Sequence, residues 1–336
     1  MVQEAREAAQ VVERLLKENE PEVRSLARFL RRRMPAFALT LARGSSDQAA
    51  LFAKYLFEAR LGLLVASLAP SVTTLYGQVP GRGGLLLAYS QSGESPDLVE
   101  VARAHREGGS LTVAFVNREE SPLARAAEVV LPLHAGEERA VAATKSFLAM
   151  LAATLHLVAH LLEEKDLLAL LPRLPEALDQ AEAEGTLEAL LEAEGAYVVG
   201  RGLALAAAGE VALKLKEVAL LHAEALSAAE LLHGPLALLS QGLPLLFLVT
   251  KDRPLEALLA LLEALRAKGA EVLVLSSEPE AWELATHPLR LPVRLSPELD
   301  PLLLVRAFYP LVAELGRARG VEVDHPPHLG KVVRTR

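Results

Sequence analysis

The chain contains no cysteine, which excludes disulfides, thiolate nucleophiles and zinc ribbons and fits a reducing, cytoplasmic setting. Excess positive charge is also missing. A net charge of −8 gives no electrostatic footprint for nucleic acid. The one basic cluster, Arg31 to Arg33, closes a mixed-charge helical pattern and reads as a solvated helix C-terminus beside the negative end of its dipole. The opening MVQEAREAAQ lacks the basic-then-apolar pattern of a secretory signal. No apolar run spans a bilayer comfortably: the most membrane-like, Phe147 to Leu162, is short and carries His156 and His160, so a buried helix is expected. GxxxxGK[ST] is absent, and Gly200-Arg201-Gly202 is followed by Leu205 where a dinucleotide fingerprint needs glycine.

What is present is organised. At 336 residues, two domains of ordinary size are expected. Residues 3–33 read as one or two amphipathic helices broken at Glu20-Pro21. FALTLARGSSDQAALFAKYLFEARLG then runs strand, Gly-Ser turn, helix. LLVAS, LLLAYSQSGES, LTVAFVN and VVLPL are short β-rich runs, and AATKSFLAMLAATLHLVAHLLEE is a long helix. Strands alternating with helices imply crossover units and parallel sheets. After Leu-, Glu- and Ala-rich helical spacers the pattern restarts: AYVVGRGLALAAAGEVALKLKEVALL echoes residues 37–61, and PLLFLVTKDRPLEALLALLEALRAKGAEVLVLSS echoes 85–116. The expected division is a helical segment 1–35, a first α/β domain 36–165, a linker 166–192, a second domain 193–320 and a tail 321–336.

The two halves differ at one junction. Where the first has SQSGES, the second has TKDRPL. A polar loop that follows a parallel strand and opens a helix lies at the carboxyl edge of the sheet, where such folds bind ligands. Ser95-Pro96 is a good N-cap and first-turn pair. The helix amides point into the loop, Ser90, Ser92 and Ser95 add neutral donors, and Gly93 allows close backbone approach. Together they suit a phosphate monoester. The same residues would also serve as a Ser95 cap with solvated neighbours.

In the helix GEVALKLKEVALL, Glu210, Lys214 and Glu217 fall within about a 60° sector, and Lys216 points elsewhere. They are either a solvated ion pair or the lining of a cleft in which Lys214 holds Glu217 ionised as a base. His233, before Gly234-Pro235, sits in a forced turn that presents it. His156 and His160 have metal-type spacing without an evident third ligand, so a core or capping role is expected and no metal site is assigned. Lys331, near the end of VDHPPHLGKVVRTR, reads by itself as a surface charge.

SQSGES, ATKSF, GEVALKLKEVALLHAEALSAAELLHGPLAL and HLGKVV, in this order, resemble the tandem sugar isomerase (SIS) domains that form the isomerase half of the glucosamine-6-phosphate synthases. The resemblance covers nearly the whole chain. It implies two flavodoxin-like three-layer αβα domains with five-stranded parallel sheets, and a homodimer. Ser90, Gln91, Ser92 and Ser95 match phosphate-binding positions, and Ser46 another sugar-phosphate contact. Val141 and Lys331 match positions around the sugar. Glu217 matches the acid that moves a proton between C1 and C2, with Glu210 and Lys214 as its polar neighbours. His233 matches the ring-opening histidine, supplied by the other subunit. Lys331 matches the tail lysine that forms a Schiff base with the keto-sugar.

The synthases also carry a glutaminase domain with a cysteine nucleophile, which this sequence does not show; glutamine-dependent synthesis by this chain alone is not expected. Ala142-Ala143-Thr144-Lys145 and His328-Leu329-Gly330-Lys331 depart from the usual Ala-Ser-Thr-Lys and Asn-Leu-Ala-Lys. The resulting expectation is a cytoplasmic glucosamine-6-phosphate deaminase working without metal or organic cofactor. The rivals are a fructosamine-6-phosphate deglycase, a galactosamine-6-phosphate deaminase, an isomerase fed by a separate ammonia source, or a non-enzymatic sugar-phosphate sensor. In each case the partner is a hexose or amino-sugar 6-phosphate, with neither nucleic acid nor membrane involved.

Overall fold

A computed structural model describes residues 1–331. The chain forms two compact units. One comprises residues 7–138, 145–175 and the described end of the chain from Gly330; the other comprises 1–6, 139–144 and 176–329.

The first of these units holds strands β1 (Ala38–Leu41), β2 (Val65–Ser67), β3 (Leu85–Ser90), β4 (Leu111–Val116) and β5 (Val129–Pro132). They pair in parallel, in the order β2-β1-β3-β4-β5. β1 and β3 are buried at every position, as a sheet covered on both faces requires, which is why they read as unbroken apolar runs. The winding direction reverses between β1 and β3. The loops leaving their carboxyl ends, at 42–44 and 91–95, therefore flank the crevice where doubly wound sheets take ligands.

The apolar helix Lys145–Leu162 is long enough to cross a membrane, yet 89% of it is buried. Helices Ala8–Glu18, Glu20–Arg32 and Ser45–Leu61 pack against it, so its all-round hydrophobicity is that of a core helix. Where the sequence predicts one or two N-terminal helices there are three, Val2–Arg6 preceding the other two, and the last break falls at the buried Asn19, whose Nδ2 donates to Pro132 O at 2.8 Å. Of the basic cluster, Arg32 and Arg33 are exposed as expected. Arg31 is used: it donates to His160 O at 3.0 Å and pairs with Glu163 at 2.5 Å, near the negative end of the long helix. The expectation that His156 and His160 lack a third ligand is corrected here. Glu20, distant in sequence, places Oε2 2.8 Å from His156 Nε2 and 3.1 Å from His160 Nε2.

The other unit repeats the plan with β6 (Gly195–Gly200), β7 (His222–Ser227), β8 (Leu245–Val249), β9 (Val272–Ser276) and β10 (His287–Arg290), in the order β10-β9-β8-β6-β7. All pairs are parallel. Helix Ala204–Ala219 packs on helix Asp300–Ala318. The approach is close at Gly316, where a Cβ would lie 2.3 Å from Val218 O. Between the sheets' sequences the spacer breaks into short helices, Lys165–Leu170 and Leu174–Gln180, with Pro172 in the 3₁₀ turn between them and Pro175 in the first turn of the second.

Candidate active site

The serine loop leaves β3 at Ser90 and enters helix Pro96–Glu107. Its shape is fixed from within. Ser90 Oγ, buried, accepts from Gly93 N at 3.0 Å, and Ser92 Oγ accepts from Glu94 N at 3.2 Å. Gly93 has φ +65° and no room for a side chain: a Cβ there would lie 2.2 Å from Ser121 Oγ. Gly93 O in turn accepts from Leu123 N at 3.0 Å, tying the loop to the one after β4. Ser95 occupies the N-cap with extended backbone, but its side chain makes no capping bond. Its hydroxyl is therefore available to a ligand instead of closing the helix end.

Two residues in this unit are not marked by the sequence, Arg43 and Glu138. Arg43, on the loop after β1, donates to the buried carboxylate of Asp97 at 2.9 Å. Asp97 lies in the first turn of helix Pro96–Glu107. A carboxylate there would oppose an arriving phosphate, and the guanidinium cancels much of that charge while joining the two loops of the switch point. Ser46 lies in the first turn of helix Ser45–Leu61, after Gly44 at φ +59°, half-buried on the same sheet edge.

Lys331 is not a free surface charge. Its Nζ donates to Glu138 Oε2 at 2.9 Å. Glu138, buried, also accepts from Ser146 N at 3.1 Å and Ser146 Oγ at 2.7 Å, at the start of helix Lys145–Leu162. Glu138 was missed because nothing in the EE pair at 137–138 distinguishes a buried carboxylate from a solvated one. Lys145 is buried and pairs with Glu7 at 2.7 Å.

In the other unit the helical stripe is a buried triad. Lys214, fully buried, lies 3.2 Å from Glu210 Oε1 and donates to Glu217 Oε2 at 2.6 Å. Tyr309 OH donates to Glu210 Oε1 at 3.2 Å. Burial works against the Lys214 ammonium, but Glu210 and then Glu217 outweigh it, so Lys214 titrates above its ordinary value. A fixed cation is thus held beside Glu217, which at 23% side-chain exposure is the one member open to a ligand. The solvated-pair alternative for this stripe is excluded by that burial. Lys216 is exposed, as its position on the helix dictates. His233 caps helix Ala228–Leu232 and is exposed, followed by Gly234 at φ +136°. Leu232 and Leu238 beside it in sequence are exposed as well. Val141 is half-buried and donates its amide to Asp324 O at 3.2 Å.

Two doubly wound parallel sheets, one with a hydroxyl-lined loop at its switch point and the other with an acid–lysine–acid stripe on a buried helix, define an α/β protein of the doubly wound class. The SIS domain model matches residues 38–160 and 189–293, and the chain belongs to this family. It is 33% identical over 310 residues to the glutamine–fructose-6-phosphate aminotransferase of Zymomonas mobilis, covering 87% of this chain and 51% of that one. Against the aminotransferase of Aeropyrum pernix it is 36% identical over 318 residues, with 88% and 50% covered. The chain thus spans about half the length of the curated relatives it matches. A solved structure from Silicibacter pomeroyi, provisionally described as a phosphosugar isomerase, superposes with a TM-score of 0.87 at 38% identity over 96% of this chain and 98% of that one.

Proposed function

We propose that the chain is an amino-sugar phosphate isomerase that converts glucosamine 6-phosphate and water to fructose 6-phosphate and ammonia. The observation that carries this reading is the Glu210–Lys214–Glu217 triad: a fully buried lysine hydrogen-bonded to a partly open carboxylate is costly to bury and makes sense where that carboxylate takes part in proton transfer.

Ring opening falls to His233. Glu217 then takes the C2 proton, acidified by the C1 carbonyl, and returns it at C1 through an enolamine. The amino-aldose becomes a ketose imine, and addition of water at C2 expels ammonia. Lys331 can exchange with that imine through its own amine, which releases ammonia before water hydrolyses the lysine adduct. Glu138, paired with Lys331, is positioned to take the proton the lysine must lose first. The phosphate is the handle. Ser90, Gln91, Ser92 and Ser95 with the amides of the helix end bind it, and Ser46 and Val141 contact the sugar. The chemistry matches the aldose–ketose step implied by the names of the aminotransferase relatives. The exposed His233 and the uncovered Leu232 and Leu238 favour a homodimer in which each copy lends its histidine to the other.

Purified protein incubated with glucosamine 6-phosphate should yield equimolar ammonia and fructose 6-phosphate. Turnover of galactosamine 6-phosphate or of a fructosamine 6-phosphate adduct in its place would reassign the substrate. Absence of product from all three, with fructose 6-phosphate still bound, would favour a sensor.

A further inference from the structure

On the first unit, Glu20 opens helix Glu20–Arg32, and His156 and His160 lie one turn apart on helix Lys145–Leu162. Both imidazoles direct Nε2 at the same carboxylate oxygen, Glu20 Oε2, at 2.8 and 3.1 Å, and the three ligand atoms lie within 4.8 Å of one another. The carboxylate is held from behind: Arg24 pairs with its other oxygen, Oε1, at 3.2 Å, leaving Oε2 turned to the histidines. His156 is buried, and His160 is largely so. The rings stand 5.1 Å apart, tilted by 56°, so they converge without stacking. A cleft of about 620 Å³ opens on the cluster, lined by Glu13, Lys17 and Arg24 together with the apolar Leu168, Leu171 and Pro172.

We propose that Glu20, His156 and His160 form a binding site for a divalent transition-metal ion, with Zn²⁺ the best-matched species.

Two imidazoles and one carboxylate are a nitrogen–oxygen donor set of the kind zinc takes with three protein ligands and an open position, which here the cleft supplies to water. The set lacks the oxygen count that calcium or magnesium requires. Histidines at i and i+4 share a helix face, so the helix sets two ligands before any metal arrives. In a tetrahedral site with bonds of about 2.0–2.1 Å, neighbouring ligand atoms stand roughly 3.3 Å apart. The Glu20 contacts need to open by only a few tenths of an ångström to reach that. Arg24 then acts as the outer group that orients a ligating carboxylate. The ion would clamp helix Glu20–Arg32 to the core helix Lys145–Leu162, tying down a segment that otherwise depends on side-chain packing and a few polar contacts. Serine loop, triad and Lys331 take no part, so the site stands apart from the proposed isomerisation.

The test uses the untagged full chain stripped with EDTA. Zn²⁺ titration by calorimetry should show one saturable site per chain. Co²⁺ should give the intense visible bands of a tetrahedral N/O site, and Zn²⁺ should raise the thermal midpoint. His160→Gln and Glu20→Gln, at the less buried positions, should each weaken Zn²⁺ by at least about 10-fold and remove the thermal shift. His156→Ala should do the same, and circular dichroism checks that it folds. No saturable binding by the wild-type chain, or unchanged Zn²⁺ affinity and thermal shift in His160→Gln and Glu20→Gln, overturns the proposal and leaves the cluster as a hydrogen-bonded clamp.

Discussion

Lys331 donates to Glu138 at 2.9 Å, and Glu138 is fixed in place by the amide and hydroxyl of Ser146. An amine attacks a carbonyl only after losing its proton, and the carboxylate lies within hydrogen-bond reach to accept it. Borohydride added with fructose 6-phosphate should therefore reduce an imine at Lys331, seen as a mass increase on the tail peptide. Lys331→Ala should show none. Glu138→Gln, which keeps an acceptor for Ser146 and removes the charge, should slow trapping by ~10-fold or more. Equal trapping in Glu138→Gln would separate Glu138 from that step.

Glu217→Gln should lower kcat by ~10²–10⁴ while glucosamine 6-phosphate still binds, because the amide keeps the shape and loses the base. Exchange of the C1 and C2 hydrogens with deuterated water, followed by NMR, should vanish with it. Turnover unchanged from wild type would remove the acid–base role.

Lys214→Met would take away the cation that neutralises Glu210 at a fully buried position. Breaking a buried pair from one side costs about 3–5 kcal/mol. Denaturant unfolding should show a loss of that order at neutral pH, and the double variant Lys214→Met with Glu210→Gln should recover part of it. A loss below about 1 kcal/mol in the single variant would mean that the triad is far better solvated than its burial indicates.

Gly93→Ala meets two obstacles, a φ of +65° and a Cβ position 2.2 Å from Ser121 Oγ. The loop must shift, and the shift falls on phosphate binding more than on proton transfer. On the proposed reading, in which the phosphate is the binding handle, KM should rise at least ~10-fold with kcat changed less. The reverse split would place the serine loop outside the substrate site.

For the homodimer proposed above, mixed dimers decide where His233 acts. Glu217→Gln and His233→Ala chains, each inactive alone, are combined and allowed to exchange. If His233 serves the partner's site, half of the dimers carry one intact site, and about a quarter of wild-type activity returns. If it serves its own subunit, no activity returns.

Asp300 carries the clearest pH dependence. Burial raises its carboxyl, the amide of Leu295 at 2.7 Å pulls it back, and the buried Glu278 raises it again, leaving it at about 7 against an ordinary 3.8. A pKa raised on folding stabilises the native state fully below the unfolded value, and that stability is lost as pH rises through about 7. The loss from this group is on the order of 3–4 kcal/mol between pH 4 and pH 8. Asp300→Asn should flatten that part of the stability–pH curve, and a curve parallel to wild type would refute the shift.

Much of this was legible in the chain itself. The strands buried on both faces, β1, β3, β4, β6, β8 and β9, declared themselves as apolar runs, because a sheet covered on both sides leaves no alternation to misread. β7 (HAEALS) and β10 (HPLR) did not. They are edge strands, half-exposed, and their polar positions face solvent. The serine loop and the Glu210–Lys214–Glu217 stripe were visible because local geometry alone, a strand-to-helix junction and a 3.6-residue period, puts their members together.

The sequence by itself determined the two-fold winding, the hydroxyl-rich junction and the shared face of the triad, all of which depend on neighbours within a turn or two. Tertiary structure alone decided three things: that Lys214 is buried yet kept charged by two acids, that Lys331 meets Glu138, and that Glu20 meets His156 and His160. Each depends on bringing together segments far apart in sequence or on excluding water from a helix face. Composition and periodicity carry no record of either, because they describe the chain's local preferences and not which surfaces the packed core covers.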